Sequence, residues 1–187
     1  MELDKIIRKR KSVRSFTATN PSWKYISDAI ESTLQNPFAG NHNNLKFLII
    51  EDEEIIKKIS KIAEQSWISQ AGILIVVCSN DAQLESLYGE RGRIYSRQQA
   101  GAALQTLLLK LVDLGLSSCW VGAFTDEILK EALNIPQHIQ IEAIIPVGYE
   151  NPEHKKSKPH KKELENSIFW ENWNNQHRPA LFKEPKA

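Results

Sequence analysis

Six consecutive residues, Ile73-Leu74-Ile75-Val76-Val77-Cys78, are apolar, four of them β-branched, and this run constrains the fold more than any other stretch. Side chains of a strand alternate between its two faces, so a run without a polar break has to be covered on both sides. A central strand between two layers is the expectation. Phe47-Leu48-Ile49-Ile50 reads as a short buried strand, and Ser118 to Val121 and Ile139 to Val147 read as two more.

The helical signals supply the covering layers. Leu3, Ile6 and Ile7 form a short stripe. Asn20-Pro21 predicts a helix start, with Asn as cap and Pro at the first helical position. Trp23, Ile26, Ile30 and Leu34 then bury one face of 21–35. Asp52, Glu53 and Glu54 suit the positive end of a helix whose inner face is Ile55, Ile59 and Ile62. A short helix over 126–133 takes Thr125 as its cap. In 96–114, Ala100, Ala103, Leu104, Leu107, Leu108, Leu111 and Leu114 surround most of a helix, and Gly115 stops it. Such a helix is buried on several sides, in a thick core or at a subunit contact. The small residues Gly101, Ala102 and Ala103 would admit another backbone closely. Alternating helices and strands give an α/β or α+β class around a mixed sheet. The 187 residues show no repeat or second core, so they read as one domain with a polar, lysine-rich tail from about 151 that turns aromatic at Phe169, Trp170 and Trp173.

Charge excludes some partners. With 24 basic and 23 acidic residues the net charge is +1, and no global field draws nucleic acid or an anionic membrane. The cluster 8–11 would permit a weak nucleic-acid contact, against which the balanced charge argues. No apolar signal core opens the chain and no segment has the length of a membrane span, so the expected location is cytoplasmic. Cys78 and Cys119 lie in apolar runs and read as buried thiols; the five histidines are dispersed without metal spacing. A serine nucleophile elbow, a Walker-type phosphate loop and a dinucleotide glycine fingerprint are all missing.

Four clusters remain as candidates for chemistry. Arg10-Lys11-Ser12-Val13-Arg14, followed by Phe16, places forked donors, a point charge and a hydroxyl where they could surround a phosphate, though the same run also reads as a solvated basic face. Pro37-Phe38-Ala39-Gly40-Asn41, with Asn43 and Asn44, combines close backbone approach with carboxamides that donate and accept, or is an ordinary surface turn. Ser118-Cys119-Trp120-Val121-Gly122-Ala123-Phe124 ends a strand in small residues that a flat ring could pack against. Pro146-Val147-Gly148-Tyr149 precedes Lys155, Lys156, Lys158, Lys161 and Lys162, which could reach a phosphate or merely solubilise a loop.

The order of these clusters carries a resemblance. Arg10 to Phe16 resembles the Arg-Arg-Ser-Val/Ile-Arg-x-Phe opening of the nitroreductase family. Pro37 to Asn44 is similar to its Pro-Ser-Ala-Gly-Asn-x-Gln-Pro loop, and Leu114 to Phe124 is very close to its Leu-Gly-Leu-Gly-Ser-Cys-Trp-Ile-Gly-Ala-Phe stretch. Ile135-Pro136 and Ile144 to Tyr149 match its ending, so the likeness spans about residues 3–173. Phe38 departs from the family serine, and Asn43-Asn44-Leu45 replaces Gln-Pro-Trp.

The resemblance implies an α+β fold around a mixed sheet surrounded by helices, a homodimer joined through long helices, and two FMN molecules at the interface. Arg10, Lys11 and Ser12 would hold the phosphate, with Lys161 and Lys158 completing it. Arg14 would lie near the pyrimidine edge, Asn41 would bond the ring, and Pro37, Phe38, Ala39 and Asn43 would line it. Gly122 and Ala123 would approach from the strand end. The implied activity is ping-pong electron transfer from NAD(P)H through the flavin to a small organic acceptor, nitroaromatic or quinone-like, without a protein catalytic residue or metal. A flavin dehydrogenase or dehalogenase of the same fold, or a flavin- or partner-binding protein without turnover, is the alternative.

Overall fold

The computed structural model describes residues 2–153 and 164–177. They belong to two units, Met1–Glu153 and His154–Ala187. In the first, strands β1 (Leu45–Ile50), β2 (Ile73–Ser79), β3 (Ser117–Ser118) and β4 (Gln140–Gly148) form one sheet in the order β1-β2-β4-β3. Each neighbouring pair is antiparallel. The parallel component of the sheet, among the described residues, is a single bridge between Ser12 and Ser118.

Every residue of β2 is buried, as its unbroken apolar run requires. Leu74, Val76 and Cys78 point into one layer with Ile56 and Ile59 of α3 (Glu53–Ile62) and Leu129 of α6 (Asp126–Leu133). Ile73, Ile75 and Val77 point into the other, with Ile26 and Ala29 of α2 (Trp23–Thr33) and Leu104, Leu107 and Leu111 of α5 (Arg91–Asp113). Each large side chain so enclosed contributes about 1.5–3 kcal/mol of transfer free energy, which is why this three-layer stack is the core. Two shorter helices, α1 (Leu3–Lys9) and α4 (Ala82–Tyr88), pack against α5.

Two local devices shape the site region. The β2–β4 register shifts between Val77, opposite Ala143, and Cys78, opposite Ile141, so Glu142 is an extra residue at a β-bulge. At the end of α5, Gly115 takes φ 81, its N–H donates to the Val112 carbonyl, and the Leu116 N–H donates to the Leu111 carbonyl at 2.8 Å. This left-handed closure needs glycine and turns the chain straight into β3.

Several boundaries differ from expectation. Helix α2 is capped by Ser22, whose hydroxyl accepts from the Lys24 N–H, so Pro21 lies before the helix rather than at its first position. The buried face of α2 consequently runs through Ile26 and Ala29, while Trp23 and Leu34 are exposed. In α3 the inward residue is Ile56, not Ile55. Strand β1 is an edge strand with Ile49 exposed, since one side of an edge has no neighbour to cover it. Beyond β3 the strand predicted to Val121 breaks, and pairing resumes only as a bridge from Val121 to Ile144.

Within the second unit, Leu164–Ser167 form one 3-10 turn. Phe169 and Trp173 stack with centroids 4.5 Å apart and planes 11° from parallel. The Asn172 and Asn175 side chains accept from the N–H groups of Asn174 and His177, closing two short turns.

Candidate functional site

The basic segment that follows α1 is held by its backbone. Arg10 ends α1 by donating its N–H to the Ile6 carbonyl. Ser12 bridges Ser118, and the Val13 N–H donates to the Ser118 carbonyl at 3.0 Å. Farther along, Phe16 bridges Glu150, the Thr17 N–H donates to Tyr149, and the Asn151 N–H donates to Ser15. Val13 and Phe16 are buried while Lys11, Ser12 and Arg14 are exposed, so two apolar anchors pin the segment and leave its polar side chains outside. The anchor is tight: a Cβ on Gly148 would stand 2.9 Å from the Phe16 ring.

Burial raises the Cys119 thiol above its ordinary value, against the opposing pull of Arg14, Ser12 and Arg10, which puts these three groups in the neighbourhood of one thiol. The Arg14 guanidinium lies 6.0 Å from the centre of the Trp67 ring. Among the described residues neither Arg10 nor Arg14 has a carboxylate partner within salt-bridge distance, whereas Lys11 is paired with Glu150 at 2.6 Å. Gly122 and Ala123 are exposed where the chain leaves the sheet, and the Ala123 carbonyl accepts from the Gln65 side chain at 3.3 Å. The first and third sequence clusters and the 146–149 part of the fourth therefore converge on one edge of the sheet, while Lys155, Lys156 and Lys162 lie outside the described residues. Lys158 and Lys161 lie outside the described residues.

The second cluster lies elsewhere. Leu45 pairs with Ser79 and Ser79 with Gln140, whereas Ser118 pairs with Val147 and Val147 with Ile73. The loop before β1 and the basic segment thus occupy opposite edges and opposite ends of the sheet, roughly 25–30 Å apart by ordinary strand spacing and rise. In the loop, Gly40 and Asn41 both take left-handed backbone, φ 57 and 60. Asn41 is exposed. The Asn43 carboxamide oxygen is occupied by the Leu45 N–H at 3.0 Å. Phe38, which stands where the family has serine, packs against Leu45, Ala100 and Ala103. Part of the small-residue patch on α5 is thereby covered by the chain's own loop, while a Cβ on Gly101 would meet nothing. Pro37 and Ala39 line a shallow cavity of about 200 Å³ with Tyr95, Gln98, Gln99 and Ala102, and no residue of the basic segment reaches it.

Sequence reading did not single out Trp67, Gln65, Glu150 or Gln99. Each is an isolated polar or aromatic residue outside the four clusters, with a role that only its spatial neighbours define.

The model of the nitroreductase family matches residues 7–70 and 63–149. The chain belongs to the nitroreductase family. A protein of Archaeoglobus fulgidus, provisionally named NADH dehydrogenase/NAD(P)H nitroreductase, is 28% identical over 154 residues, covering 80% of this chain and 86% of that one. The FMN reductase [NAD(P)H] of Bacillus subtilis is 26% identical over 153 residues, 74% of this chain and 61% of that protein. Among solved structures, an oxidised iodotyrosine deiodinase bound to FMN and 3-iodo-L-tyrosine superposes with a TM-score of 0.75 at 22% identity, covering 91% of this chain and 98% of that one. The nitroreductase fold and oxidoreductase class are thereby established. Among the described residues no helix is long and apolar enough to cross a membrane, and no cluster of His, Cys, Asp or Glu is placed to hold a metal.

Proposed function

We propose that this nitroreductase-family chain is a cytoplasmic FMN-dependent oxidoreductase that accepts electrons from NAD(P)H and delivers them, in ping-pong order, to a nitroaromatic or quinone-like acceptor. The observation that carries the reading is the pair of guanidinium groups, Arg10 and Arg14, gathered with Ser12 on an exposed edge beside Gly122 and Ala123. Cations on a backbone-fixed segment that have no carboxylate partner among the described residues suit a phosphate dianion, since they bind it without first breaking one of those ion pairs. Glycine and alanine at the strand end leave room for a ring to lie on backbone.

FMN, when bound, supplies the exchange of electrons. The chain's own groups bind and orient. Arg10 and Ser12 hold the phosphate, with Lys11 shared between phosphate and Glu150, and Lys158 or Lys161 is proposed to add charge. Arg14, steadied by Trp67, puts positive charge beside the pyrimidine edge, where negative charge accumulates on reduction. Asn41 offers its carboxamide to the ring edge, and Pro37, Phe38, Ala39 and Asn43 form the wall.

The wall and the phosphate cluster sit on opposite corners of one chain. A homodimer resolves this: the loop of one copy completes the cluster of its partner, across an interface that includes the uncovered part of α5 near Gly101. The dimer is thus part of the proposal, and so is the single-domain role of the tail. Titration of the purified chain with FMN, followed by NADH oxidation with and without menadione or a nitroaromatic, tests it. Saturable flavin binding with acceptor-stimulated oxidation is expected; a chain that binds no flavin overturns the reading. Flavin binding without turnover would leave the non-catalytic alternative.

A further inference from the structure

We propose that Gln99, in the middle of α5, is the positioning residue of the 39–44 loop, holding it in the left-handed turn that presents Asn41. The inference rests on the reading of Asn41 as a contact of the flavin ring.

The turn needs outside support. Asn41 at φ 60 occupies a backbone region that costs a side-chain-bearing residue conformational energy. Local backbone bonding within the turn consists of two short-range bonds, from the Asn41 N–H to Phe38 and from the His42 N–H to Ala39, and the Asn43 side chain accepts from the Leu45 N–H at its end. From across the fold, Gln83 meets the His42 ring at 2.9 Å and the Asn80 N–H donates to the Asn44 carbonyl at 3.0 Å, but Gln99 alone reaches both ends of the turn. Its carboxamide oxygen accepts from the Ala39 N–H at 3.1 Å, and its NH2 donates to the His42 carbonyl at 3.2 Å and to the Asn44 carboxamide oxygen. One side chain thus grips both ends of the turn. Because one end offers a donor and the other an acceptor, the Gln99 amide satisfies both, whereas a carboxylate or an apolar side chain here would not.

Burial makes the grip specific. Gln99 is 4% exposed and Asn44 7%, so each unmade bond there leaves an unsolvated polar group. The grip is itself anchored. The Asn44 NH2 donates to Ser96 at 2.7 Å and to the Asn80 carbonyl at 3.1 Å. The Ser96 hydroxyl donates to Asp81 at 2.6 Å. Asp81 is bonded to Arg97, which also pairs with Glu142 at the β-bulge at 3.0 Å. The loop is therefore connected by continuous hydrogen bonds through α5 to the strand that carries the central sheet, whereas its own tip is exposed.

A positioning role and a general structural role give different results in a binding cycle. Riboflavin and FMN are titrated into the full chain carrying Gln99→Leu, Gln99→Glu, Asn41→Ala, and Asn41→Ala combined with each Gln99 substitution. Gln99→Leu removes donor and acceptor, and Gln99→Glu keeps the acceptor for Ala39 while losing the donor to His42 and Asn44. Each should weaken both ligands by the same factor, roughly three- to tenfold for one lost ring bond. The bound-flavin absorption spectrum of each should move toward that of Asn41→Ala. With Asn41 already removed, neither Gln99 change should cost more than about twofold further, because the group it positions is gone. Unchanged affinity in the Gln99 variants, losses that multiply with Asn41→Ala, or a loss confined to FMN would overturn the inference. If Gln99→Leu does not fold, the Gln99→Glu arm decides by the same criteria; if neither folds, Gln99 is a structural residue and the inference is overturned. Asn41→Ala without effect on riboflavin would instead remove the underlying reading of the loop.

Discussion

The two segments offered to the cofactor are built in opposite ways. The 10–16 segment is extended, hydrogen-bonded along its backbone to Ser118 and Asn151, and anchored by Val13 and Phe16, so its charged side chains project outward. The 37–44 loop has little backbone pairing and is shaped by buried side chains of α5. The difference follows from what each presents. Long cations tolerate a plain backbone, because their own length and charge reach a phosphate. A short carboxamide such as that of Asn41 is aimed by its backbone alone, and an unusual backbone needs side-chain support.

The contrast breaks most severely at Phe16. Truncating this buried anchor to Ala should destabilise the fold by about 3–5 kcal/mol, read as a shift of the urea midpoint, because a ring-sized cavity opens under the basic segment. A shift no larger than that of an exposed position would mean the segment is not anchored as described. Next in size is Arg10→Ala, expected to weaken FMN roughly ten- to hundredfold while sparing riboflavin, which lacks the phosphate. Lys9→Ala, one residue earlier and outside the matched motif, should do little in the same titration. Equal effects at the two positions would reduce the cluster to a solvated face.

At the loop, Gly40→Ala should cost about 1–2 kcal/mol in thermal unfolding. Its φ of 57 disfavours a side chain, and the added Cβ would stand 2.6 Å from the Tyr88 hydroxyl. Unlike Arg10→Ala, it should weaken FMN and riboflavin alike. The smallest effect concerns pH and belongs to the loop region alone. Burial holds the Glu142 carboxyl above the usual glutamate value, against the pull of Ser79 and Arg97. A raised value means that the folded state favours the proton, so this contribution to stability is full below about 4.3 and is lost as pH rises through the folded value. Urea midpoints from pH 4.5 to 7 should therefore slope less in Glu142→Gln than in the wild-type chain; parallel slopes would show that Glu142 does not titrate in this range.

Much of this molecule was written locally. The unbroken run 73–78 could only be a strand covered on both faces, and it became β2. Gly115 could only end a helix, and it closes α5. The ordered motifs at 10–16, 37–44 and 114–124 are strings of neighbouring residues, so the family and its oxidoreductase class were legible before any coordinate. Boundaries that depend on competition between adjacent signals, such as Ser22 over Asn20-Pro21, were not. Nor was anything that joins residues distant in sequence: Lys11 is held by Glu150, Arg14 lies against Trp67, and the loop hangs from Gln99. A sequence determines periodicity, caps and motif order because these act over a few residues along the chain. Which carboxylate meets a cation, and which helix grips a loop, is decided by the strand order β1-β2-β4-β3, which gathers the basic segment and the 118–124 strand end at one corner of the sheet and leaves the 37–44 loop at the opposite one. Hydrogen bonds and charges act through space over a few ångströms, and only the folded chain sets those distances.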